Sequence, residues 1–229
     1  MGFPGFAAGR YHSLVGAVSY AVIAAVGYAL GGVPTAYLAG RLRGIDIRRH
    51  GSGNVGGTNA LRVLGWRVGL PVLALDVAKG YLAAGVLPWL PSLAGDPTYL
   101  RLAGGLGALL GHVFSPYLRF RGGKGVAAGA GALLALAPLP TVIASGVFLV
   151  LALGTGIVSV GSLGAAAALP VAAFLLHRWA GVAVHPAVQG LTVALFPFVA
   201  WTHRANIRRL LAGTENRFRR PWDRRRSGR

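Results

Sequence analysis

Long apolar runs alternate with short polar islands along this chain. Seven runs can be drawn: Leu14–Ala39, Gly69–Leu90, Tyr99–Phe114, Val126–Ala137, Leu139–Gly154, Leu163–Leu176 and Ala187–Trp201. A helix that crosses a bilayer needs about 20 mostly apolar residues. Taken singly, the shorter runs read equally well as core helices of a soluble protein. Taken together they do not, because almost no polar faces remain to meet water. The pattern predicts an all-α, polytopic integral membrane protein with about seven transmembrane helices. Pro138 and Pro140 part the fourth run from the fifth, since the residue before a proline is pushed out of the helical region. That leaves open two separate spans or one bent segment.

Charge changes the picture next. The 229 residues include 23 Lys and Arg against 5 Asp and Glu, a formal charge of +18, and no Cys. Zero Cys excludes a disulfide scaffold, a thiolate metal site and a cysteine nucleophile. A basic excess on an apolar chain fits either nucleic-acid binding or a membrane protein, and position decides between them. Nineteen of the 23 basic residues lie in Gly40–Val68, Ser115–Gly125 and the tail from Thr202. Those segments share one side if the spans alternate. Cytoplasmic loops collect Lys and Arg, so that side is the cytoplasm. Seven spans then put the N-terminus outside and the C-terminus inside. The first run is too long for a signal-peptide core and Met1–Ala8 carries no basic leader. The Arg-rich tail reads as a contact with anionic lipid headgroups, without the aromatic interleaving of a nucleic-acid site.

The first island is Arg48–Arg62. Gly51, Gly53, Gly56 and Gly57 lie within seven residues there, with Ser52, Asn54, Thr58, Asn59 and Arg62 among and after them. Such a loop lets backbone N–H groups converge on an anion, and a helix beginning after it adds its dipole. A flexible linker would not need Asn54, Asn59 and Arg62 around the glycines. Gly51-x-Gly53-x-x-Gly56 matches the dinucleotide fingerprint, and Asp76 falls 20 residues on, but Asp76 sits in a membrane run and no soluble βαβ unit surrounds the glycines.

The second island, Gly111–Gly125, ends in Gly122-Gly123-Lys124-Gly125. Exposed amides plus a flexible ammonium make a phosphate clamp, and a basic membrane anchor is the plainer reading. The chain has 21 Arg and only 2 Lys, Lys79 and Lys124. Lys is a compact ammonium where Arg is a planar fork, which points to these two positions as needing an ammonium. Lys79 follows Asp76 by three residues, so the two share a helix face, as a functional ion pair or as a structural clip. In the third island, His203 and Asn206 share a face of a helix leaving the membrane. Ser159 and Ser162 read as helix caps. Gly27-x-x-x-Gly31 and Gly125-x-x-x-Gly129 read as close helix contacts. No His and carboxylate cluster has metal-ligand spacing, so no metal is expected. Two anion cradles and few acids favour acyl or alkyl transfer between phosphate-bearing substrates over Mg²⁺-dependent phosphoryl transfer or a cation-coupled transporter. A transporter of a phosphorylated metabolite stays as the alternative, although no internal repeat supports it. A non-catalytic membrane scaffold would leave both phosphate loops without a purpose.

Across nearly the whole chain, the motifs Gly51–Asn59, Asp76-Val-Ala-Lys-Gly80, Gly111-His-Val-Phe, Arg119–Gly125, Ser159-Val-Gly-Ser162, His203-Arg-Ala-Asn-Ile207 and Gly213-Thr-Glu215 resemble the bacterial acyl-phosphate:glycerol-3-phosphate acyltransferase (PlsY) family. Gly57 stands where the family usually has Ala, and Ser115 precedes Pro116 where the proline more often follows the Gly-His-x-Phe motif directly. The resemblance implies one transmembrane acyltransferase domain over 1–229, with 213–229 as a basic cytoplasmic tail, in the bacterial inner membrane. It implies transfer of an acyl group from acyl phosphate to glycerol 3-phosphate, giving 1-acyl-glycerol-3-phosphate and phosphate, without cofactor, nucleic acid or obligatory protein partner. It makes Ser52, Arg62, Lys124, Ser162, His203 and Asn206 the principal polar residues. Ser52, Lys124, His203 and Asn206 are then the catalytic set, and Arg62 and Lys124 face the glycerol phosphate. The Gly51–Asn59 amides hold the acyl phosphate. The base is either the donor's own phosphate or His203.

Overall fold

The computed structural model describes residues 4–218, with side chains from Val15 onward. Most of the expected basic tail, 219–229, and Met1–Phe3 lie outside the described residues. No strand occurs among those described. The helices are α1 (Pro4–Gly32), α2 (Thr35–Arg41), α3 (Gly57–Leu64), α4 (Trp66–Tyr81), α5 (Pro97–Val113), α6 (Val126–Leu136), α7 (Pro138–Thr155), α8 (Val158–Trp179), α9 (Pro186–Thr202) and α10 (Arg204–Leu211). A π turn (Leu82–Val86) and a 3₁₀ turn (Leu87–Trp89) prolong α4. Every apolar run of the sequence is therefore mainly helical, the first with a break. Among the described residues, four stretches are long and apolar enough to cross a membrane: Val15–Arg41, Trp66–Trp89, Pro138–Thr155 and Val158–Trp179. At 1.5 Å per residue, the 11 residues of α6 extend only about 16 Å.

The chain divides into two compact units at Leu136/Ala137. The division falls where Ala137, at φ −147°, ends the run before Pro138 opens α7. The fourth and fifth apolar runs are thus two helices, not one bent segment.

In the first unit α1 packs along α5, with α4 against α3 and α6. The α1/α5 seam is built of small residues. A Cβ on Gly27 would collide with the Gly104 carbonyl, and one on Gly111 with the backbone of Tyr28 and Gly32. The helices therefore approach to backbone contact, as the Gly27/Gly31 spacing implied. The Gly125/Gly129 reading holds at Gly125, where a Cβ would strike Leu109 and Val113 of α5, and needs correction at Gly129. Gly129 meets only a Leu109 methyl at ordinary distance, and α6 instead docks on α4 through Gly131 against Val77 and Gly80 against Ala128.

The first apolar run is broken at Val33–Pro34, because Pro34 has no N–H to continue the ladder. The carbonyls freed there are taken up by side chains. Ser115 Oγ donates to Gly32 O at 2.6 Å and Lys79 Nζ donates to Val33 O at 3.1 Å. Arg101 does the same beside the π turn, donating to the Ala84 and Ala135 carbonyls.

In the second unit α7 lies along α8, α9 packs on α8, and α10 follows α9 after a turn at His203. Pro170 and Pro197 sit inside their helices without ending them.

Candidate active site

The first island folds as a 3₁₀ turn, a glycine loop and then α3. Asp46 accepts from the Arg48 amide and takes the Arg48 guanidinium at 2.9 and 2.8 Å. That charged hydrogen bond holds the Asp46 carboxyl well below the ordinary range. Gly51 and Gly53 have φ of +61° and +71°, a region glycine enters without strain. The loop is closed from inside by Asn59, which is 1% exposed. Its Oδ1 accepts from the Ser52 amide at 2.9 Å, and its Nδ2 donates to His50 O at 3.0 Å and Ile47 O at 3.2 Å. A Cβ on Gly51 would occupy the place of Asn59 Oδ1. Asn54 Oδ1 accepts from Gly56 N–H at 2.9 Å, just before α3 begins. Asn59 is thus the staple of the loop. Ser52 and Arg62 are exposed, and Arg62 reaches back to Asn59 Oδ1 at 3.5 Å. Gly57 and Thr58 are the opening residues of α3, whose first-turn donors have no partner within the helix. Gly57 also lets α3 sit tightly on Leu73 of α4.

The second island corrects one expectation. The amides of Gly122 and Gly123 do not point outward to an anion; they donate to Val113 O and His112 O, each at 2.9 Å. The two glycines tie the loop to the end of α5, and a Cβ on either would collide with His112. Gly125, buried with φ +82°, packs on Leu109 and opens α6. Lys124 is half-buried between these anchors.

Beneath both islands lies a buried polar cluster. Asp76 Oδ1 accepts from Thr35 Oγ1 at 2.6 Å, pairs with Lys79 Nζ at 2.9 Å, and has His112 Nδ1 at 3.8 Å. Asp76 is 0%, Lys79 5% and His112 7% exposed. The expected Asp76/Lys79 pair is present, and His112, which the sequence reading passed over, stands with it. These residues, with Val55 of the first island and Gly122 and Gly123 of the second, line one small pocket.

In the second unit His203 ends α9 and is 2% exposed. Its Nδ1 lies 2.8 Å from Val199 O, a group that only accepts, so Nδ1 is the nitrogen that donates there. Asn206, on the first turn of α10, donates to Glu215 Oε1 at 2.5 Å. Glu215 also accepts from Ser159 Oγ at 3.0 Å and pairs with Arg209 Nε at 2.7 Å. Burial pushes the Glu215 carboxyl up, but these three donors outweigh it and hold the group below its ordinary range. Neither serine is a helix cap. Ser159 serves Glu215, and Ser162 Oγ donates back to Val158 O at 3.1 Å. The sequence signal for Glu215 was its rarity, one of five acids.

A prediction follows from the sign of that shift. A carboxyl lowered in the folded state adds stability that is present at neutral pH and is lost as pH falls through its folded value. Thermal unfolding of Glu215→Gln should therefore lie below that of the unsubstituted protein at pH 7. The gap should narrow as the pH is taken down through the carboxylate range; a gap independent of pH would contradict the assignment.

Residues 21–213 match the family model described as glycerol-3-phosphate acyltransferase. The chain belongs to that family. A glycerol-3-phosphate acyltransferase of Chlorobium phaeobacteroides strain BS1 is 43% identical over an alignment covering 86% of this chain and 95% of the relative. One of Chlorobaculum parvum is 40% identical over 87% and 97%. Among solved structures, that of PlsY (YgiH), an integral membrane glycerol 3-phosphate acyltransferase, in its glycerol 3-phosphate form superposes with a TM-score of 0.77 at 33% identity, covering 88% of this chain and 96% of that one. The crystal structure of its lysophosphatidic acid form gives 0.75 at 32%. The chain is accordingly an acyltransferase enzyme and an all-helical membrane protein.

Proposed function

We propose that this enzyme transfers the acyl group of an acyl phosphate to glycerol 3-phosphate. Supporting this are family membership and the glycerol 3-phosphate and lysophosphatidic acid forms of the PlsY neighbour. The observation that supports the donor assignment is the Asn59-stapled glycine loop ahead of α3, which we read as a cradle for a phosphate distinct from the one on glycerol. The hydroxyl oxygen of glycerol 3-phosphate attacks the acyl carbon, the new ester C–O bond forms, and the anhydride C–O bond breaks to release phosphate. An acyl phosphate has a good leaving group, so positioning and oxyanion stabilisation supply most of the rate. Ser52 and the loop of Gly51, Gly53, Asn54, Gly56 and Thr58 surround the donor. The amides of Ser52, Gly53 and Gly56 are spent inside the loop on Asn59, His50 and Asn54, so they shape it, and the holding falls to the Ser52 hydroxyl and the opening turn of α3. Arg62 and Lys124 hold the glycerol phosphate. Ser162, His203 and Asn206 orient polar groups of the substrates. The whole of 1–229 acts as one catalytic domain, crossing the bacterial inner membrane seven times with its N-terminus outside and its polar loops toward the cytoplasm.

The purified protein, given acyl phosphate and glycerol 3-phosphate without added metal, should release phosphate and form the acylated product. Turnover with an acyl thioester but not with acyl phosphate would overturn the donor assignment. The hydroxyl proton goes to the departing phosphate. General-base catalysis contributes about 10²–10⁴-fold, so His203→Gln, which keeps a donor and an acceptor, should lose only about tenfold in kcat. A loss at the upper end of that range would make His203 the base.

A further inference from the structure

We propose that the buried Thr35–Asp76–Lys79–His112 network positions the segment carrying Lys124, with His112 as the link. The proposal rests on Lys124 being a site residue. His112 touches the segment twice. Its carbonyl accepts from Gly123 N–H at 2.9 Å, and its ring lies where a Cβ on Gly123 would strike Nε2. On its other side Nδ1 faces Asp76 Oδ1 at 3.8 Å, and that same oxygen is fixed by Thr35 at 2.6 Å and Lys79 at 2.9 Å. Three helices therefore converge on the carboxylate, and the loop leans on one of the four side chains, the His112 ring.

The plainer role, capping the break in α1, accounts for Lys79 at Val33 O but not for the rest. Ser115 caps the adjoining Gly32 carbonyl with a hydroxyl alone. A buried ion pair is commonly no more stabilising than apolar residues of the same size, so capping does not call for one. The pair also borders both islands, since Val55, Gly122 and Gly123 share its pocket. Asp76 Oδ2 has no hydrogen-bond partner among the described residues, so Oδ1 alone organises the network. Asp76, Lys79 and His112 are positioning residues here, not residues that meet the substrate.

The test is a double-mutant cycle on kcat/KM for glycerol 3-phosphate at saturating acyl phosphate, with folding checked by thermal unfolding. His112→Phe keeps the ring volume against Gly123 and removes the face toward Asp76. A displacement near 1 Å costs on the order of 10²-fold, so His112→Phe should lose about that much. In a Lys124→Ala background the same substitution should cost nothing further, because residues acting as a unit are non-additive. Should His112→Phe fail to fold, Asp76→Asn/Lys79→Met, which removes both charges at similar volume, takes its place in the cycle. Losses that multiply would show a merely structural role and overturn the proposal. Unchanged activity in His112→Phe would overturn it while leaving the Lys124 assignment intact. Full activity in Lys124→Ala would instead remove the reading on which it rests, and the proposal with it.

Discussion

Lys124→Arg is expected to lower turnover by about 100-fold or more while leaving thermal unfolding close to that of the unsubstituted protein. Both residues are cations, so charge is not the issue. The backbone around Lys124 is fastened on both sides, by the Gly122 and Gly123 amides on Val113 and His112 before it and by the buried Gly125 on Leu109 after it. A segment held in this way cannot retreat to admit a longer, planar guanidinium. The compact ammonium is the cation that fits the distance the loop sets. Phosphate release under saturating substrates checks this, and near-normal turnover would refute it.

The second large effect is expected at Asn59→Asp, which is nearly isosteric. The two Nδ2 donations to the His50 and Ile47 carbonyls become contacts between oxygens, inside a loop where Asn59 is 1% exposed. Leaving buried acceptors unpaired costs about 1–3 kcal/mol, more when a charge is involved. Burying the carboxylate adds several kcal/mol unless it stays protonated. Activity should be abolished and thermal unfolding lowered together. Ser52→Ala on the same loop should cost activity alone, since only the backbone amide of Ser52 meets Asn59. If Asn59→Asp kept its stability, the staple would not be what holds the loop.

The helices were legible because burial in lipid demands continuous apolar composition, and the parting of α6 from α7 because Pro138 is a strong local signal. The break in α1 was not. Pro34 lies in an apolar run just as Pro170 and Pro197 do, yet those two stay inside helices. At Pro34 the freed carbonyls find Ser115 and Lys79, residues far along the chain, and no local pattern announces such partners. The glycine islands were visible as composition, but composition does not say where an amide points. Gly51 and Gly53 do shape a loop, whereas Gly122 and Gly123 spend their amides on α5. Asn59 reads in sequence as one more donor to a ligand, and only its place between Ser52, His50 and Ile47 makes it a staple.

The Pro34 break also bears on how the protein is made. Val33 and Thr35, the acceptor for Lys79 and the donor to Asp76, precede those two charges in the chain by about forty residues. Chains emerge N-terminus first. When the span Trp66–Trp89 leaves the ribosome with a carboxylate and an ammonium in its middle, the first hydrophobic segment is already present to receive both. Chain order thus lets the span that carries Asp76 and Lys79 enter the bilayer as a neutral, already partnered pair.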